Sequence, residues 1–172
     1  CLLDCEREMK RLHSCLFRAG QSVDVIPASR DFSHYKLVLV PNLIVTDPDF
    51  AARLKAYVAG GGVAVVTYRT AVKDRDNNLV FGKTTPVDCG DLLGLYVEET
   101  ESVQAYDCIP IAGEKGGGTA GIFRDMVVSQ GAQVLWHYDD PFYRSYAAIT
   151  RNAYGQGAAY YLGTTPEQAI LD

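Results

Sequence analysis

Two continuous apolar runs, with an amphipathic segment between them, dominate the hydrophobic pattern of the chain. Leu37–Val40 and Val63–Thr67 are apolar at almost every position, as expected of strands in a parallel sheet that is covered on both faces. The intervening segment carries apolar residues at helical spacing, namely Phe50, Leu54, Tyr57 and Val58. The order strand, helix, strand predicts one β-α-β unit within residues 35–76.

Capping residues predict where this helix begins and ends. Thr46 and Asp49 form a capping-box-like pair around Pro48, a residue that is favoured in the first helical turn. Gly60 follows the apolar stripe and is predicted to take the left-handed position that ends the helix. The two glycines after it are predicted to turn the chain tightly into the second strand.

A helix and a short strand are predicted before this unit. Asp4 has the side chain of an N-cap and is followed by acidic residues in the first turn, so it predicts the start of a helix that ends at Gly20. Residues 23–26 are apolar and β-branched at alternate positions and predict a short strand. The buried stripe of the helix is predicted to be Met9, Leu12, Leu16 and Phe17.

The chain after the unit is predicted to contain mostly strands. In chain order the predictions are a short helix at 89–95, a strand at 96–99, an extended run at 102–112 and strands at 133–138, 146–151 and 158–162. The glycine-rich segment 113–121 is predicted to be a flexible surface loop. Thr165 and Pro166 are predicted to begin a final helix.

Together these elements predict an α/β fold, a three-layer sandwich with a mostly parallel sheet and a C-terminal antiparallel strand pair. A chain of 172 residues is expected to form a single domain across residues 1–172. The net charge of −5 argues against a nucleic-acid or anionic-membrane partner, because both require clustered Lys and Arg. No apolar run approaches the ~20 residues of a membrane-spanning helix.

The cysteines predict neither a disulfide framework nor a zinc site, since their number is odd and no CxxC spacing occurs. The five are Cys1, Cys5, Cys15, Cys89 and Cys108. Cys1 and Cys5 can share a helix face, but no histidine is close in sequence to complete a metal site. We expect reduced thiols and a cytoplasmic protein. The chain starts at Cys1 without a methionine and almost directly in a helix, so we expect a piece of a longer polypeptide.

The turn after the second strand is the position at which related folds mount a nucleophile. Residues 68–71 of this chain are Tyr-Arg-Thr-Ala, with neither Cys nor Ser. Thr70 has no glycine neighbours, and a pairing of His137 with Asp139 would have no nucleophile to activate. The histidines that lack the setting of a general base are His13, His34 and His137. We therefore predict that this chain carries no catalytic residue.

Other candidate sites are also weak. The sequence Gly82-Lys83-Thr84 ends like a phosphate loop, but Asn77 stands where that motif requires glycine. The segment 113–121 does not lie between a parallel strand and a helix, as a phosphate cradle would. Glu98, Glu99, Glu101, Asp139 and Asp140 are adjacent along strands or turns, so they are predicted to be solvated acids. We predict no cofactor-binding residue, no metal-binding residue and no cofactor.

Aromatic residues with polar tips are concentrated in the last third of the chain. They are Tyr138, Phe142, Tyr143, Tyr146, Tyr154, Tyr160 and Tyr161. Such a density is typical of protein interfaces and also of core packing. Both interpretations remain open from the sequence.

Three separated segments, in this order and spacing, resemble the middle domain of family 42 glycoside hydrolases, the bacterial β-galactosidases. They are DFSHYKLVLVPNLIVTDPDFAARLKAYVAGGGVAVVTYRTAVKDRDN, then LLGLYVEE, then QVLWHYDDPFYRSYAAITRNAYGQGAAYYLGT. The chain departs from the family pattern at Ala71, where glycine is usual, and at Arg144 and Ser145, where a small residue and glycine are usual.

This resemblance implies a class I glutamine amidotransferase-like (flavodoxin-like) fold without the catalytic cysteine of that fold. It implies a structural domain that drives formation of a homotrimer. It also implies a retaining β-galactosidase as the parent enzyme, whose TIM barrel and catalytic glutamates lie outside this chain. The partners implied are other copies of the chain and its own barrel.

Two other functions remain open from the residues alone. One is an amidotransferase-like hydrolase that uses Thr70 or Cys89 as an atypical nucleophile. The other is a small-ligand-binding module that uses the crevice at the strand ends near Arg69, Lys73 and Asp74.

Overall fold

The computed structural model describes residues 4–104, 107–114 and 116–171, and these contain helices and strands in a mixed order. The helices are α1 Cys5–Arg18, α2 Pro48–Ala59, α3 Gly90–Leu93 and α4 Gln168–Leu171. The strands are β1 Leu37–Val40, β2 Val63–Thr67, β3 Leu95–Ser102, β4 Ile109–Gly113, β5 Gly116–Ser129, β6 Gln133–Tyr138, β7 Ala147–Tyr154, β8 Gly157–Leu162 and β9 Thr164–Pro166. The predicted bounds of β1, β2 and β6 are confirmed at both ends.

The strands form one sheet in the order β1-β2-β8-β7-β6-β4-β5-β3, and β9 lies beside β5. Among the named strands of the described residues, β1 with β2 and β2 with β8 pair in parallel, and the other pairings are antiparallel. The prediction of a mostly parallel sheet is therefore wrong, whereas the antiparallel pair near the C-terminus, β7 with β8, is confirmed. Parallel neighbours need a crossover of a dozen or more residues, and the second half of the chain mostly reverses through short turns such as Gly155 and Gln156.

Apart from Lys115, which lies outside the described residues, the glycine-rich segment 113–121 belongs to paired strands and not to a flexible loop, so that prediction is wrong. Residues 116–120 pair with β4 in a regular antiparallel register. A Cβ at Gly118 would lie 2.7 Å from Ile170 Cδ1, and one at Gly113 would lie 2.5 Å from the carbonyl oxygen of Leu135. These glycines therefore let α4 and β6 approach the hairpin closely.

The ends of α2 differ from the prediction at both sides. Asp47, and not the Thr46–Asp49 pair, caps the helix, because its carboxylate accepts a hydrogen bond from the Phe50 amide at 2.8 Å. Gly60 has a φ of −78° and its amide still donates to Ala56, so the left-handed position falls one residue later, at Gly61 with φ +107°. The predicted buried residues of α2 are confirmed.

Other predictions at the chain ends hold only in part. Asp4 caps α1 as predicted and Leu12 is buried, but Phe17 is 71% exposed and does not extend the buried stripe. Residues 23–26 form no strand; the chain just after them is held to α2 instead, where Arg53 donates to the carbonyl of Ala28 at 2.7 Å.

Two further segments also differ from the prediction. The predicted run at 102–112 is divided between β3 and β4, although residues 105 and 106 lie outside the described part. Thr165 and Pro166 belong to β9, because they pair with β5, and α4 begins after them.

The structure has two apolar cores. The larger packs α2 on the parallel strands around Leu54 and Val66, and it continues under α3 at Leu93 onto β3, β5 and β7. The smaller lies within the antiparallel strands around Ile111 and Tyr138. Strand β5 contributes Val127 to the first core and Ala120 to the second, so it spans both. The candidate site lies where these cores meet.

Candidate functional site

The turn at residues 68–71 leaves the carboxyl end of β2 in a strained conformation. Arg69 has a φ of +62° and Ala71 a φ of +56°, which non-glycine residues rarely adopt. Three of the four amides have main-chain partners: Tyr68 donates to Leu162, Thr70 to Thr67 and Ala71 to Leu43. The geometry is that of a tight elbow, but the next helix of the described chain begins only at Gly90, whereas a nucleophile elbow leads directly into a helix.

Thr70 does not offer a free nucleophile in this elbow. Its side chain is only 2% exposed, and its hydroxyl donates to the carbonyl of Val40 at 3.4 Å and accepts from the Leu43 amide at 3.3 Å. The partners are main-chain groups at the end of β1 and in the loop after it. The hydroxyl thus joins the two strand ends, and within the described residues it has no partner that could remove its proton.

Cys89, the other candidate nucleophile, is also unsuited to catalysis. It lies in the larger core with 1% of its surface exposed. Burial raises the pKa of its thiol to about 11. Since the thiolate is the reactive form, this cysteine is an inert core residue near neutral pH.

The three residues of the proposed crevice are not assembled into one site. Lys73 donates to Asn77 Oδ1 at 3.0 Å, and the Asp74 carboxylate accepts from the amides of Asp76 and Asn78. These bonds close the loop after the elbow on itself. Arg69 instead interacts electrostatically with a buried carboxylate, described below.

Neither glycine-containing loop forms a phosphate cradle. Lys83 donates to Asp88 Oδ1 at 2.6 Å, in a loop that leads through a turn rather than directly into a helix. Segment 116–120 pairs with β4, and the Thr119 amide donates to Glu167 Oε1 at 2.9 Å. Within the ranges that the structure describes, no group of three or more His, Cys, Asp or Glu side chains could hold a metal ion. Cys1 lies outside those ranges.

The prediction of solvated acids holds for Glu98, Glu99 and Asp139, which are exposed, whereas Glu101 and Asp140 are half-buried. Glu98 accepts a hydrogen bond from Tyr146 at 2.6 Å, and Glu101 accepts one from Tyr143 at 3.0 Å. Arg124 donates to Glu101 at 3.0 Å, and its guanidinium carbon lies 3.6 Å from the centre of the Tyr143 ring. In the described ranges, His137 and Asp139 form no hydrogen bond with each other. These contacts fasten the loop after β6 onto β3 and β5.

The aromatic residues of the last third divide between core and surface. Tyr138 and Tyr161 are buried, Tyr143 and Tyr146 are half-buried, and Phe142 is 76% exposed. Both interpretations of the cluster therefore apply, each to a different part of it. Tyr138 donates its hydroxyl to the carbonyl oxygens of Asp125 and Gly163, at 3.0 and 3.3 Å.

Asp125 is the buried polar residue that the sequence interpretation missed. Its side chain lies under the elbow with 1% of its surface exposed. Its carboxylate accepts hydrogen bonds from Tyr161 at 2.6 Å and from Thr100 at 2.7 Å. The amide and the charge of Arg69 also act on it and lower its pKa. A carboxylate followed by Met126, Val127 and Val128 was a signal for a buried acid, but it is visible only once β5 is recognised as a strand.

Burial raises the pKa of Asp125 to about 6, against the opposing effects of the two hydroxyls and the charge of Arg69. Burial also raises the pKa of Tyr161 well above its ordinary value, so that its hydroxyl remains a donor. At neutral pH the site therefore holds a carboxylate among donors, in a dry part of the protein.

The pH dependence of stability tests this description of Asp125. Between pH 3.8 and about 6 the folded protein keeps a proton on this group that the unfolded chain has lost, so its contribution falls as pH rises. The expected loss is about 3 kcal/mol in free energy of unfolding. We compare urea titrations at pH 4 and pH 7. Asp125→Asn should lack this pH-dependent loss of stability, whereas Val127→Ala should lower the free energy of unfolding by the same amount at both pH values. An Asp125→Asn protein with unchanged pH dependence would contradict the assignment.

Comparison with known proteins shows which family the chain matches. A family model described as the β-galactosidase trimerisation domain matches residues 1–172. β-Galactosidase Pbg of Clostridium perfringens is 36% identical over 81% of this chain and 21% of its own length. β-Galactosidase BgaA of Clostridium cellulovorans is 32% identical over 92% of this chain and 24% of its own length.

Solved structures agree with the curated relatives. The β-galactosidase of Bacillus circulans superposes with a TM-score of 0.94 at 26% identity, over 98% of this chain and 26% of that chain. That of Rahnella sp. R3 gives a TM-score of 0.93 at 28% identity, with the same two coverages. The chain thus spans about a quarter of the proteins it matches. Among the helices of the described residues, none is long and apolar enough to cross a membrane.

Proposed function

The chain belongs to the β-galactosidase trimerisation domain family, and we propose that it is the non-catalytic assembly domain of a family 42 glycoside hydrolase. The observation that carries the proposal is the match to the family model over all 172 residues. Its length supports the same view, since the matched β-galactosidases are about four times longer. A domain of this kind forms one unit across residues 1–172.

Catalysis in the parent enzyme is proposed to lie in a TIM barrel elsewhere in the polypeptide. There, two glutamates would hydrolyse terminal β-galactosides with retention: one attacks the anomeric carbon and the other protonates the leaving oxygen. The absence of a usable nucleophile at Thr70 and Cys89 supports a structural role for this chain. The elbow between the strands is proposed to hold the two halves of the sheet together.

Assembly is proposed to produce a homotrimer, with the barrel of the same polypeptide as the second partner. The description of the family supports self-association. Phe142 offers an exposed aromatic ring beside the half-buried Tyr143, at 4.8 Å between ring centres. An exposed aromatic pair of this kind suits an interface between copies.

The fold and the cellular compartment can be proposed more finely. Strands β1, β2 and β8 with α2 are proposed to be an amidotransferase-like, three-layer scaffold whose remaining strands have become antiparallel. The described cysteines Cys5, Cys15, Cys89 and Cys108 are free thiols. This supports a reducing compartment, and we propose the cytoplasm.

Activity and mass measured on the same proteins test the proposal. In the full polypeptide, Thr70→Ala and Cys89→Ala should leave kcat on a chromogenic galactoside within about twofold of wild type. Neither protein should release ammonia from glutamine. Sedimentation equilibrium should give three copies for both variants, because neither side chain is exposed at a surface.

Thermal melts of each variant are the control for folding. A loss of more than about tenfold in kcat, in a variant that still melts as a trimer, would make the altered residue catalytic and overturn the structural role. Turnover of glutamine would favour the amidotransferase-like alternative. A strictly monomeric wild-type enzyme would contradict the proposed assembly.

A further inference from the structure

The elbow presents one amide toward the interior rather than toward another main-chain group. The left-handed conformation of Arg69 turns its N–H toward Asp125, while the amides on both sides bond to carbonyl groups. A non-glycine residue held in this conformation costs on the order of 1–2 kcal/mol. Such strain persists only where the surrounding contacts over-determine it, and here the contact is a carboxylate.

Three donors from three separate parts of the chain converge on that carboxylate. Thr100 of β3 reaches Oδ1 at 2.7 Å, and Tyr161 of β8 reaches Oδ2 at 2.6 Å. The Arg69 amide faces the same carboxyl group, and this amide and the positive charge of Arg69 both lower its pKa. Each oxygen thus has its own hydroxyl donor, and such bonds to a charged acceptor are the strong ones.

The rest of Asp125 is held independently of its carboxylate. Its amide donates to Gly163 at 2.8 Å and its carbonyl accepts from Tyr138 at 3.0 Å. Strand β5 also pairs with β3 through Thr100 at this position. Truncation of the Asp125 side chain therefore removes the carboxyl group from its hydrogen-bond donors. Strand β5, which carries Asp125, stays paired with its neighbours.

We propose that the Arg69 amide and the hydroxyls of Thr100 and Tyr161 form a carboxylate-binding site that Asp125 fills as an intramolecular ligand. A small free carboxylate takes the same place when the Asp125 side chain is truncated. Formate is the ligand of matching size, because Asp125→Ala removes one carboxyl group and leaves the Cβ. Acetate carries a methyl group that would collide with that Cβ, and sulfate is too large.

Local hydrogen exchange in the full polypeptide, followed by mass spectrometry at pH 6, tests the site. In Asp125→Ala, peptides that cover residues 64–71 and 158–164 should exchange about tenfold faster or more, the scale of a lost hydrogen bond to a charged group. Formate should restore most of this protection at concentrations where chloride of equal ionic strength does not. Acetate should restore less than formate.

Val127→Ala is the matched control, since it truncates a buried residue of the same strand without removing a carboxylate. Its exchange should not respond to formate beyond the response to chloride. The proposal would be overturned if formate slowed hydrogen exchange equally in both variants, or if it did not slow exchange in Asp125→Ala.

Asp125→Asn provides a second test if the alanine variant does not accumulate as folded protein. Its amide keeps the shape of the carboxyl group but brings a donor into a set of donors. Exchange in the same two peptides should rise several-fold, and formate should have no effect because the site is still filled. Wild-type exchange in Asp125→Asn would show that the donors do not need a carboxylate, and the proposal would fail.

Discussion

Replacing Gly157 by alanine is expected to lower the free energy of unfolding by about 3 kcal/mol or more, the upper range for overpacking. Gly157 is the first residue of β8, and a Cβ there would lie well inside contact distance of the carbonyl oxygens of Val58 and Gly62. The carbonyl carbon of Gly61 would be 3.1 Å away. All are main-chain atoms of the last turn of α2 and of the glycine turn after it, so no side-chain rotation relieves the collision.

The collision would separate β8 from its parallel neighbour. Val63 of β2 pairs with Ala158, the residue next to Gly157, so a displaced strand loses this register and part of the larger core. Urea denaturation monitored by tryptophan fluorescence measures the loss, because Trp136 lies in β6, which pairs with β7, the antiparallel neighbour of β8.

Gly117→Ala is the matched control for this prediction. Gly117 lies in a strand and has no left-handed φ, and the nearest atom to a Cβ there is the carbonyl oxygen of Ile111, at 3.8 Å. We expect a change within about 0.5 kcal/mol. If both alanines destabilise the protein equally, the loss comes from the general cost of altering a strand glycine and not from the collision with α2.

Leu54→Ala is the second change with a large expected effect, a loss of about 2–5 kcal/mol in free energy of unfolding. Leu54 has no exposed surface, and it packs in the larger core between α2 and the parallel strands. The substitution removes apolar contacts and leaves a cavity that the rigid strands beneath cannot close.

Val134→Ala controls for the loss of an apolar side chain as such. Val134 lies in β6 and is 46% exposed, so its truncation should cost about 1 kcal/mol or less. Urea titrations of both variants at one pH give the comparison, with the denaturant slope as a check on two-state unfolding. A Leu54→Ala protein no less stable than Val134→Ala would contradict the assignment of α2 to the main core.

The sequence was most informative where one local pattern determined the outcome. Continuous apolar runs predicted β1 and β2 to the residue, since strands buried in a parallel arrangement have few polar positions. Helical spacing predicted the buried face of α2. The absence of Cys and Ser after β2 was a matter of composition, and no tertiary contact could change it.

The errors arose where distant residues decided the structure. Gly118 is typical of a flexible loop by composition, but it is required by the approach of Ile170 from the far end of the chain. The direction of the later strands depends on the length of their connections and not on apolar content. The site of Asp125 combines Arg69, Thr100 and Tyr161, none of which is near it in sequence.

The position of β8 in the sheet has a consequence for folding during synthesis. This strand lies between β2 and β7, so β2 has no partner on the side away from β1 until the end of the domain leaves the ribosome. The hydrogen-bonding edge of β2 stays unpaired until then, a state that favours aggregation and chaperone binding. Slowed elongation before Gly157 should therefore lower the yield of native protein more than the same delay placed after Pro166.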